Sequence, residues 1–224
     1  MKTLIAENVF ADAAGAICEV IKSKPDAVIA FDMTRDIPPL YEALLEAGTD
    51  LSKITFIQAV ELEGGRAIRE FNENEFVVPS GIASDGFLAV DGDNYQQFDG
   101  LIEQLGGIDL FVTGLGVKGQ VCFNEPAVPY DSVTHLQRLT NSTKEEISFL
   151  LQDGENCPDR GYTAGIKTIV SARKIIIVAA GESKAKAVYQ TLYARDDSVV
   201  PSAFLQLPAD VVLYTDSAAA GEIA

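Results

Sequence analysis

Cysteine and histidine are scarce in this sequence, which has three of the former and one of the latter among 224 residues. Cys18, Cys122 and Cys157 are odd in number, lie far apart and lack a C-x-x-C spacing. These features exclude a disulfide framework and a cysteine-based zinc site, so we expect three reduced thiols and no metal. A lone histidine is usually structural or solvated, and His135 is therefore not assigned the role of a proton-transferring imidazole.

Basic residues are also few. Seventeen lysines and arginines against 33 acidic residues give a formal net charge of -16. Such a charge repels nucleic acid and anionic lipid at long range, so we expect neither as a partner. A small anion can still bind where a few local donors outweigh the general field.

Long hydrophobic runs and a leader-like N-terminal segment are both missing. The longest apolar runs, such as IIIVAAG at residues 175–181, are far too short to span a bilayer, and acids interrupt the first fifteen residues. These absences predict a soluble, cytoplasmic protein without a membrane partner. With 47% hydrophobic residues, the chain can bury the core of a single domain spanning residues 1–224. Whether it is a monomer or a homo-oligomer stays open.

Strand-like and helix-like segments alternate along the chain. Short β-branched and aromatic runs predict buried strands at residues 27–33, 54–60, 108–114, 174–181 and 210–216. Helical patterns cover residues 10–23, 38–48, 95–107 and 183–195. The alternation predicts an α/β fold, Rossmann-like and doubly wound, with a mostly parallel sheet and helices on both faces.

The segments between these elements are predicted as loops. Residues 81–93 and 152–161 are rich in Gly, Asp, Asn and Pro, and the final SAAAGEIA is expected to fray. Ligands in open α/β sheets bind beyond the carboxyl ends of the strands, so the loops that follow strands are the candidate sites.

Gly114, Gly116 and Gly119 form a G-x-G-x-x-G pattern directly after a predicted strand. A dinucleotide site would need a helix to follow at once, but residues 120–129 alternate in polarity and contain two prolines. The pattern therefore favours a tight glycine turn that brings the backbone close to another ligand or strand.

A better candidate for anion binding lies at the start of the helix predicted from residue 183. Its free backbone amides and dipole favour an anion, and Lys184 adds a full charge. Two interpretations stay open at this point: Lys184 contacts a phosphate, or it is a solvated first-turn lysine beside Glu182.

Residues 108–127, IDLFVTGLGVKGQVCFNEPA, resemble the signature region of the glucosamine-6-phosphate deaminase (isomerase) family. In that family a strand and a glycine turn lead into G-H-[IV]-A-F-N-E-P, and the F-N-E-P run distinguishes this branch from the related 6-phosphogluconolactonases. Further similarity covers residues 38–48, 161–185 and 202–216. The resemblance implies a Rossmann-like sheet and a glucosamine- or galactosamine-6-phosphate isomerase (deaminase) of amino-sugar and carbohydrate metabolism, working without metal or organic cofactor.

The implied reaction needs a carboxylate base, an imidazole with an acidic partner, and a phosphate anchor. Gln120 occupies the position of the family's histidine, and its amide cannot exchange protons near neutral pH. Lys118 takes the place of the partnering aspartate. Glu125 matches the third member, with a ligand contact and a structural role equally open.

The position of the family's base also differs. The aspartate that follows T-F in the family falls on Ala59 or, with one inserted residue, on Val60. Glu61 and Glu63 are then solvated loop acids, or substitutes for the base if the strand end is reshaped.

The phosphate loop of the family, Thr-Gly-Gly-[ST]-Pro, is matched here by residues 34–38, which read TRDIP. Arg35 can offer a forked phosphate contact, whereas Asp36 opposes an anion. The family's second anchor, an arginine, falls near Phe149 and is missing. Lys184 matches the family's lysine, which favours its ligand-facing interpretation.

Three functions follow from this pattern. The chain is an isomerase or deaminase with a rearranged site, a non-catalytic sugar-phosphate sensor or regulatory protein, or a protein whose altered loop admits a ligand without phosphate. The positions that match the catalytic triad are Glu125, Gln120 and Lys118. The expected substrate-binding residues are Thr34, Arg35, Gly114, Gly116, Gly119 and Lys184.

Overall fold

A computed structural model describes residues 1–152, 154–194 and 199–223 of the chain. The strands are β1 (Lys2–Ile5), β2 (Val28–Phe31), β3 (Thr55–Gln58), β4 (Val60–Leu62), β5 (Phe87–Ala89), β6 (Leu110–Thr113), β7 (His135–Arg138), β8 (Arg160–Thr163), β9 (Lys174–Ala179) and β10 (Val211–Thr215). The helices are α1 (Val9–Ser23), α2 (Ile37–Glu46), α3 (Ala67–Asn72), α4 (Phe98–Gln104), α5 (Asn141–Glu146), α6 (Ile166–Val170) and α7 (Ala185–Tyr193).

Seven strands form one parallel sheet in the order β1-β10-β9-β6-β2-β3-β5. Every residue of β2, β6 and β10 is buried, so both faces of the sheet are covered, as parallel sheets require. Successive strands run outward from β2 in one direction and from β6 in the other. The switch point, where ligands of such folds bind, therefore lies between β2 and β6.

The predicted fold is confirmed, but several of its segments differ from expectation, and β8 begins at Arg160 inside the loop predicted at residues 152–161. The strand predicted at residues 54–60 breaks at Ala59, where β3 ends and β4 enters a second sheet. Residues 81–93 are not only a loop, because β5 pairs there with β3 through Phe56 and Phe87. The helix predicted to reach residue 195 is described as far as Tyr193, and residue 195 lies outside the described residues.

The second sheet is small, antiparallel and ordered β4-β8-β7. Leu62 pairs with Gly161, and Gly161 pairs with Gln137. The backbone at Gly161 passes against the Phe123 ring, leaving no room for a Cβ. This sheet therefore packs against the segment that contains the F-N-E-P run.

Aromatic packing fixes the start of α2, the helix that follows the loop at residues 32–36. Phe31 stacks on Phe56 at 5.0 Å between ring centroids, and Tyr41 of α2 stacks on Phe76 at 4.4 Å. Pro38 occupies the first turn of α2, where its missing N–H costs nothing. The loop between β2 and α2 is thus held at both ends by buried rings.

The C-terminal residues do not fray as expected. Ala219 and Ala220 are fully buried, and the N–H of Ala220 donates to the Asp216 carbonyl. This ordering reaches Ile223, while residue 224 lies outside the described part of the chain. Among the described residues, no helix combines the length and apolar character that crossing a bilayer demands.

Candidate functional site

Two loops meet at the switch point of the sheet. Residues 32–36 follow β2 and residues 114–120 follow β6, and these loops pack directly on each other. A Cβ on Gly114 would overlap the Thr34 side chain, and one on Gly116 would overlap Gln120. The glycine turn therefore permits close contact between protein segments, and no helix follows it to support a nucleotide.

Gly119 is required for a second reason. Its φ of +75° lies in the left-handed region, and an added Cβ would stand 2.6 Å from Val200. The three glycines assigned to substrate binding are thus explained by the packing of the protein itself.

A substitution at Gly114 should reveal how tightly the two loops fit. We expect Gly114→Ala to lower the free energy of unfolding by roughly 1–3 kcal/mol, since overpacking forces neighbouring atoms to shift. Gly100, an exposed position in α4 with nothing within 4 Å of an added Cβ, is the matched control. Gly100→Ala should be stabilising by roughly 0.5–1 kcal/mol. Urea denaturation measures both; equal effects at the two positions would contradict this packing.

Gln120 is buried and fully engaged within the protein. Its Nε2 donates to Glu125 Oε2 at 3.2 Å and to Ser142 Oγ at 3.0 Å, and its Oε1 accepts from the Lys118 N–H at 3.0 Å. The amide fastens the glycine turn to the start of α5.

Glu125, the matched acid of the family, is also buried. Its Oε1 accepts from the Thr140 N–H at 2.9 Å, the Thr140 hydroxyl at 3.0 Å and the Thr143 hydroxyl at 2.5 Å. The sequence left open a ligand contact and a structural role for Glu125. In the structure Glu125 has a structural role, because it anchors the first turn of α5.

Lys118 contacts Gln120 through its backbone N–H, but its side chain does not join Gln120 and Glu125. Its side chain is exposed and lines a separate pocket of about 280 Å³ together with Lys186 and Val200. The structure thus brings two of the three triad positions together, and the third turns its charge outward.

Lys184 is buried, so the solvated interpretation is wrong. Its Nζ donates to Glu146 Oε1 at 2.7 Å and to the Leu115 carbonyl at 2.5 Å, and it lies 4.0 Å from Asp36 Oδ2. The backbone N–H of Arg35 donates to the same Glu146 oxygen at 3.2 Å. The cation expected to hold a phosphate is therefore neutralised by carboxylates of the protein.

The Arg35 side chain points away from Lys184. Its guanidinium donates to the Glu145 carbonyl and the Ser148 hydroxyl, both at 3.0 Å, and lies over the Phe149 ring, 5.5 Å from the centroid. The Arg35 guanidinium is therefore engaged by the end of α5 and the segment that follows it. Thr34 is buried beside Gly114, where its hydroxyl accepts from the Asp36 N–H at 3.3 Å.

Little free space remains among these groups. The cavity bounded by Thr34, Gly116, Gln120, Thr143 and Glu146 has a volume of about 10 Å³, room for one water at most. Ligand pockets are typically about 300–1,000 Å³. The site as it stands is a closed polar cluster.

Asp36 is the member of the cluster whose carboxyl group is not fully hydrogen-bonded. Its Oδ2 is buried without a hydrogen-bond partner. Burial raises the pKa of Asp36 to about 7; Lys184 lowers the pKa, and the nearby Glu146 carboxylate raises it again. Because the folded state holds the Asp36 proton more tightly than the unfolded chain does, this group favours folding below pH 4. That contribution is lost as the pH rises towards about 7.

Replacing Asp36 by asparagine should remove this pH dependence. We expect Asp36→Asn to be more stable than the parent protein by roughly 1–3 kcal/mol at pH 8, with the difference disappearing near pH 4. Denaturant titrations at several pH values measure it, and exposed Asp26→Asn is the control. An Asp36→Asn variant that is less stable at pH 8 would show that the carboxylate is needed in its charged form.

Two further acids were missed or misjudged from sequence. Buried Asp32 accepts from the Met33 N–H at 2.6 Å, the Thr113 hydroxyl at 2.8 Å and the Cys122 N–H at 3.0 Å. Burial raises the pKa of Asp32, although these hydrogen bonds oppose the rise. Its position directly after a buried strand was the available signal. Asp32 ties together the loops that follow β2 and β6.

Glu61 is not a solvated loop acid. It is buried and accepts hydrogen bonds from three backbone N–H groups, those of Leu62, Ile68 and Arg69, at 2.8–3.2 Å. Burial raises the pKa of this carboxyl group. Its carboxylate therefore caps α3 rather than facing the switch point.

The other positions near the family's base carry no free acid. Ala59 and Val60 are fully buried apolar residues, and Glu63 forms a surface ion pair with Arg160 at 2.7 Å. A group able to take a proton from a sugar is thus missing from the positions to which the family's base maps.

His135 lies in β7, away from the cluster. Its ring nitrogens pair with the Val133 carbonyl at 2.8 Å and with Gln137 Oε1 at 3.1 Å. The groove of about 490 Å³ that His135 lines reaches only Glu125 among the predicted site residues. Cys18, Cys122 and Cys157 are all free thiols, and burial raises the pKa of Cys122 well above its usual value.

Solved structures share this architecture. A monomeric glucosamine-6-phosphate deaminase superposes with a TM-score of 0.92 at 24% identity, covering 99% of this chain and 100% of that one. The 6-phosphogluconolactonase of Leishmania guyanensis has a TM-score of 0.75 at 17% identity, covering 100% and 98% of the two chains. That of Thermotoga maritima has a TM-score of 0.76 at 16% identity, covering 96% and 99%. The fold is that of the sugar-phosphate deaminases and lactonases.

Sequence relatives narrow the class. Glucosamine-6-phosphate deaminase of Bacillus velezensis is 30% identical over 230 residues, covering 96% of this chain and 95% of the relative. Those of Halalkalibacterium halodurans and Clostridium novyi are 34% and 36% identical over 155 and 150 residues, covering 69% and 67% of this chain. The match spans only 61% and 60% of the length of these two relatives. No family model matches. The chain belongs to the glucosamine-6-phosphate deaminase family.

Proposed function

We propose that this protein binds an amino-sugar phosphate in carbohydrate metabolism and does not perform the family's proton transfer at the inherited positions. The observation that carries the proposal is Gln120, whose amide stands in place of the imidazole and has its polar atoms engaged by Lys118, Glu125 and Ser142. An amide cannot act as an acid or base near neutral pH. The buried methyl group of Ala59, at the matched position of the base, supports the same conclusion.

We also infer that residues 1–224 act as a single sugar-phosphate isomerase-like domain. One continuous hydrophobic core runs from Val9 to Ala219 and includes residues of both sheets, which supports a single folding unit. Ligand binding would then stabilise the whole domain as one unit, and would not act through a hinge between two domains.

Retention of Lys184 supports a phosphorylated ligand. Lysine is rarely fully buried unless it pairs with a negative charge. Lys184 is buried beside the loop at residues 34–38, where it could contact a ligand bound at the switch point. A second candidate, a ligand without phosphate, is favoured by the two carboxylates of Asp36 and Glu146 at the same place. Comparing glucosamine with glucosamine 6-phosphate separates the candidates.

The proposal is tested by measuring binding and turnover on the same protein preparation. We expect glucosamine 6-phosphate to be stabilising, by about 2.7 kcal/mol at a concentration one hundred times its dissociation constant, with neither ammonia nor ketose formed. Lys184→Met, purified in the same way, controls for a contaminating host enzyme. Ammonia release by the parent protein but not by this variant would refute the non-catalytic assignment. Stabilisation by glucosamine to the same extent would favour the second candidate.

A further inference from the structure

Two hydrogen-bond donors from different loops converge on one oxygen of Glu146. Lys184 Nζ, at the start of the helical segment after β9, lies 2.7 Å from Glu146 Oε1, and the Arg35 N–H of the loop after β2 lies 3.2 Å from it. A lysine ammonium and a loop amide aimed at one point form an anion site. Here the anion is supplied by the protein's own side chain.

The pair is sealed from solvent. Glu146 is 8% exposed and Lys184 is 4% exposed. A buried ammonium that loses a close counter-charge is destabilised, and Asp36, at 4.0 Å, is a more distant partner than Glu146 at 2.7 Å. Lys184 therefore gives up Glu146 most readily when another anion takes its place. A phosphate monoester carries about two negative charges near pH 7 and three acceptor oxygens, whereas the carboxylate carries one charge. The phosphate therefore has the means to compete.

The segment that carries Glu146 is fastened by contacts nearer the surface. The Arg35 guanidinium donates to the Glu145 carbonyl and the Ser148 hydroxyl and covers the Phe149 ring. Arg35 thus holds Glu146 in place in two ways. Its backbone amide donates to Glu146, and its side chain contacts the residues before and after Glu146.

We propose that Glu146 is an internal competitor for the phosphate group of the ligand, so that the site opens only when a phosphate displaces this carboxylate from Lys184 and the Arg35 amide. This inference rests on the proposed function. The anion that can enter is a phosphate monoester in its dianionic form. Glu146 then sets the affinity for the ligand without contacting it.

The test is calorimetric titration of inorganic phosphate and of glucosamine 6-phosphate into the parent protein and three variants. Glu146→Gln keeps the shape of the side chain but removes the competing charge, and we expect it to bind both ligands about tenfold more tightly, a change of 1.4 kcal/mol. Glu145→Gln, an exposed neighbour with the same loss of charge, should bind like the parent. Arg35→Ala, which keeps the backbone amide, should bind more tightly than the parent and less tightly than Glu146→Gln.

The outcomes separate the two proposals. Equal phosphate affinities for the parent and Glu146→Gln would overturn the role of Glu146, while measurable binding of glucosamine 6-phosphate by both would uphold the proposed function. Absence of binding by every folded variant would overturn both. If Glu146→Gln does not fold, Arg35→Ala decides alone, because its loss is confined to contacts near the surface; unchanged affinity in this variant would count against the inference.

Discussion

Replacing Lys184 by methionine is expected to lower the free energy of unfolding by about 3–5 kcal/mol at pH 8, the cost of leaving buried carboxylates without their partner. Glu146 loses an ion pair of 2.7 Å, and Asp36, whose Oδ2 already lacks a hydrogen bond, loses the nearby positive charge. The measurement is urea denaturation followed by circular dichroism.

The matched control is Lys186→Met, two residues further along and exposed. Its effect should stay within about 0.5 kcal/mol, as for most surface substitutions. The deficit of Lys184→Met should shrink as the pH falls from 8 to 5, because protonation removes the unpaired charge of Asp36, whose pKa lies about 7 even with Lys184 present. A deficit that is independent of pH would show that lost packing, rather than charge, is responsible.

Replacing Asp32 by alanine should be the second severe change, lowering stability by about 3–5 kcal/mol. Two buried donors, the N–H groups of Met33 and Cys122, would be left without an acceptor, and each orphaned group costs about 1–3 kcal/mol. The Thr113 hydroxyl would lose Asp32 but keep the Gly114 carbonyl at 2.9 Å. The cost is expected to be less than the full sum because the loops can relax.

Thr113→Val provides the internal comparison for Asp32→Ala. It removes one of the three donors together with the Thr113 hydroxyl's bond to Asp32, and should cost only about 1 kcal/mol. Thermal and denaturant unfolding of both variants measure the difference. Similar losses in the two variants would mean that the Thr113 contact accounts for most of the stability that Asp32 supplies.

The strands buried on both faces could be predicted from sequence, and the peripheral ones could not. β9 contains four consecutive β-branched residues, 175–178, as is typical of a strand that is covered on both faces. β1 and β5, at the edges of the sheet, are short and only partly buried, so neither a long apolar run nor a clean alternation marks them. The small antiparallel sheet depends on pairing between distant segments, which local patterns do not reveal.

The site was predictable in position but not in its internal pairing. The loops after β2 and β6, and Lys184, follow from the sheet architecture and the glycine turn. Glu146 could not be singled out, because it is one of 33 acidic residues and only the folded chain shows which acid reaches the buried lysine. The opposite directions of the Arg35 and Lys118 side chains likewise depend on contacts made by residues distant in sequence.

The outer edge of the parallel sheet has a consequence for the time course of folding. Lys2 of β1 pairs with Val212 of β10, a residue 210 positions further along the chain. Pairings of such high sequence separation form late, after shorter loops have closed. During synthesis β1 therefore remains without this neighbour until β10 has been made. We therefore expect the β1 amides to gain protection from hydrogen exchange late in folding, after the strands at the centre of the sheet.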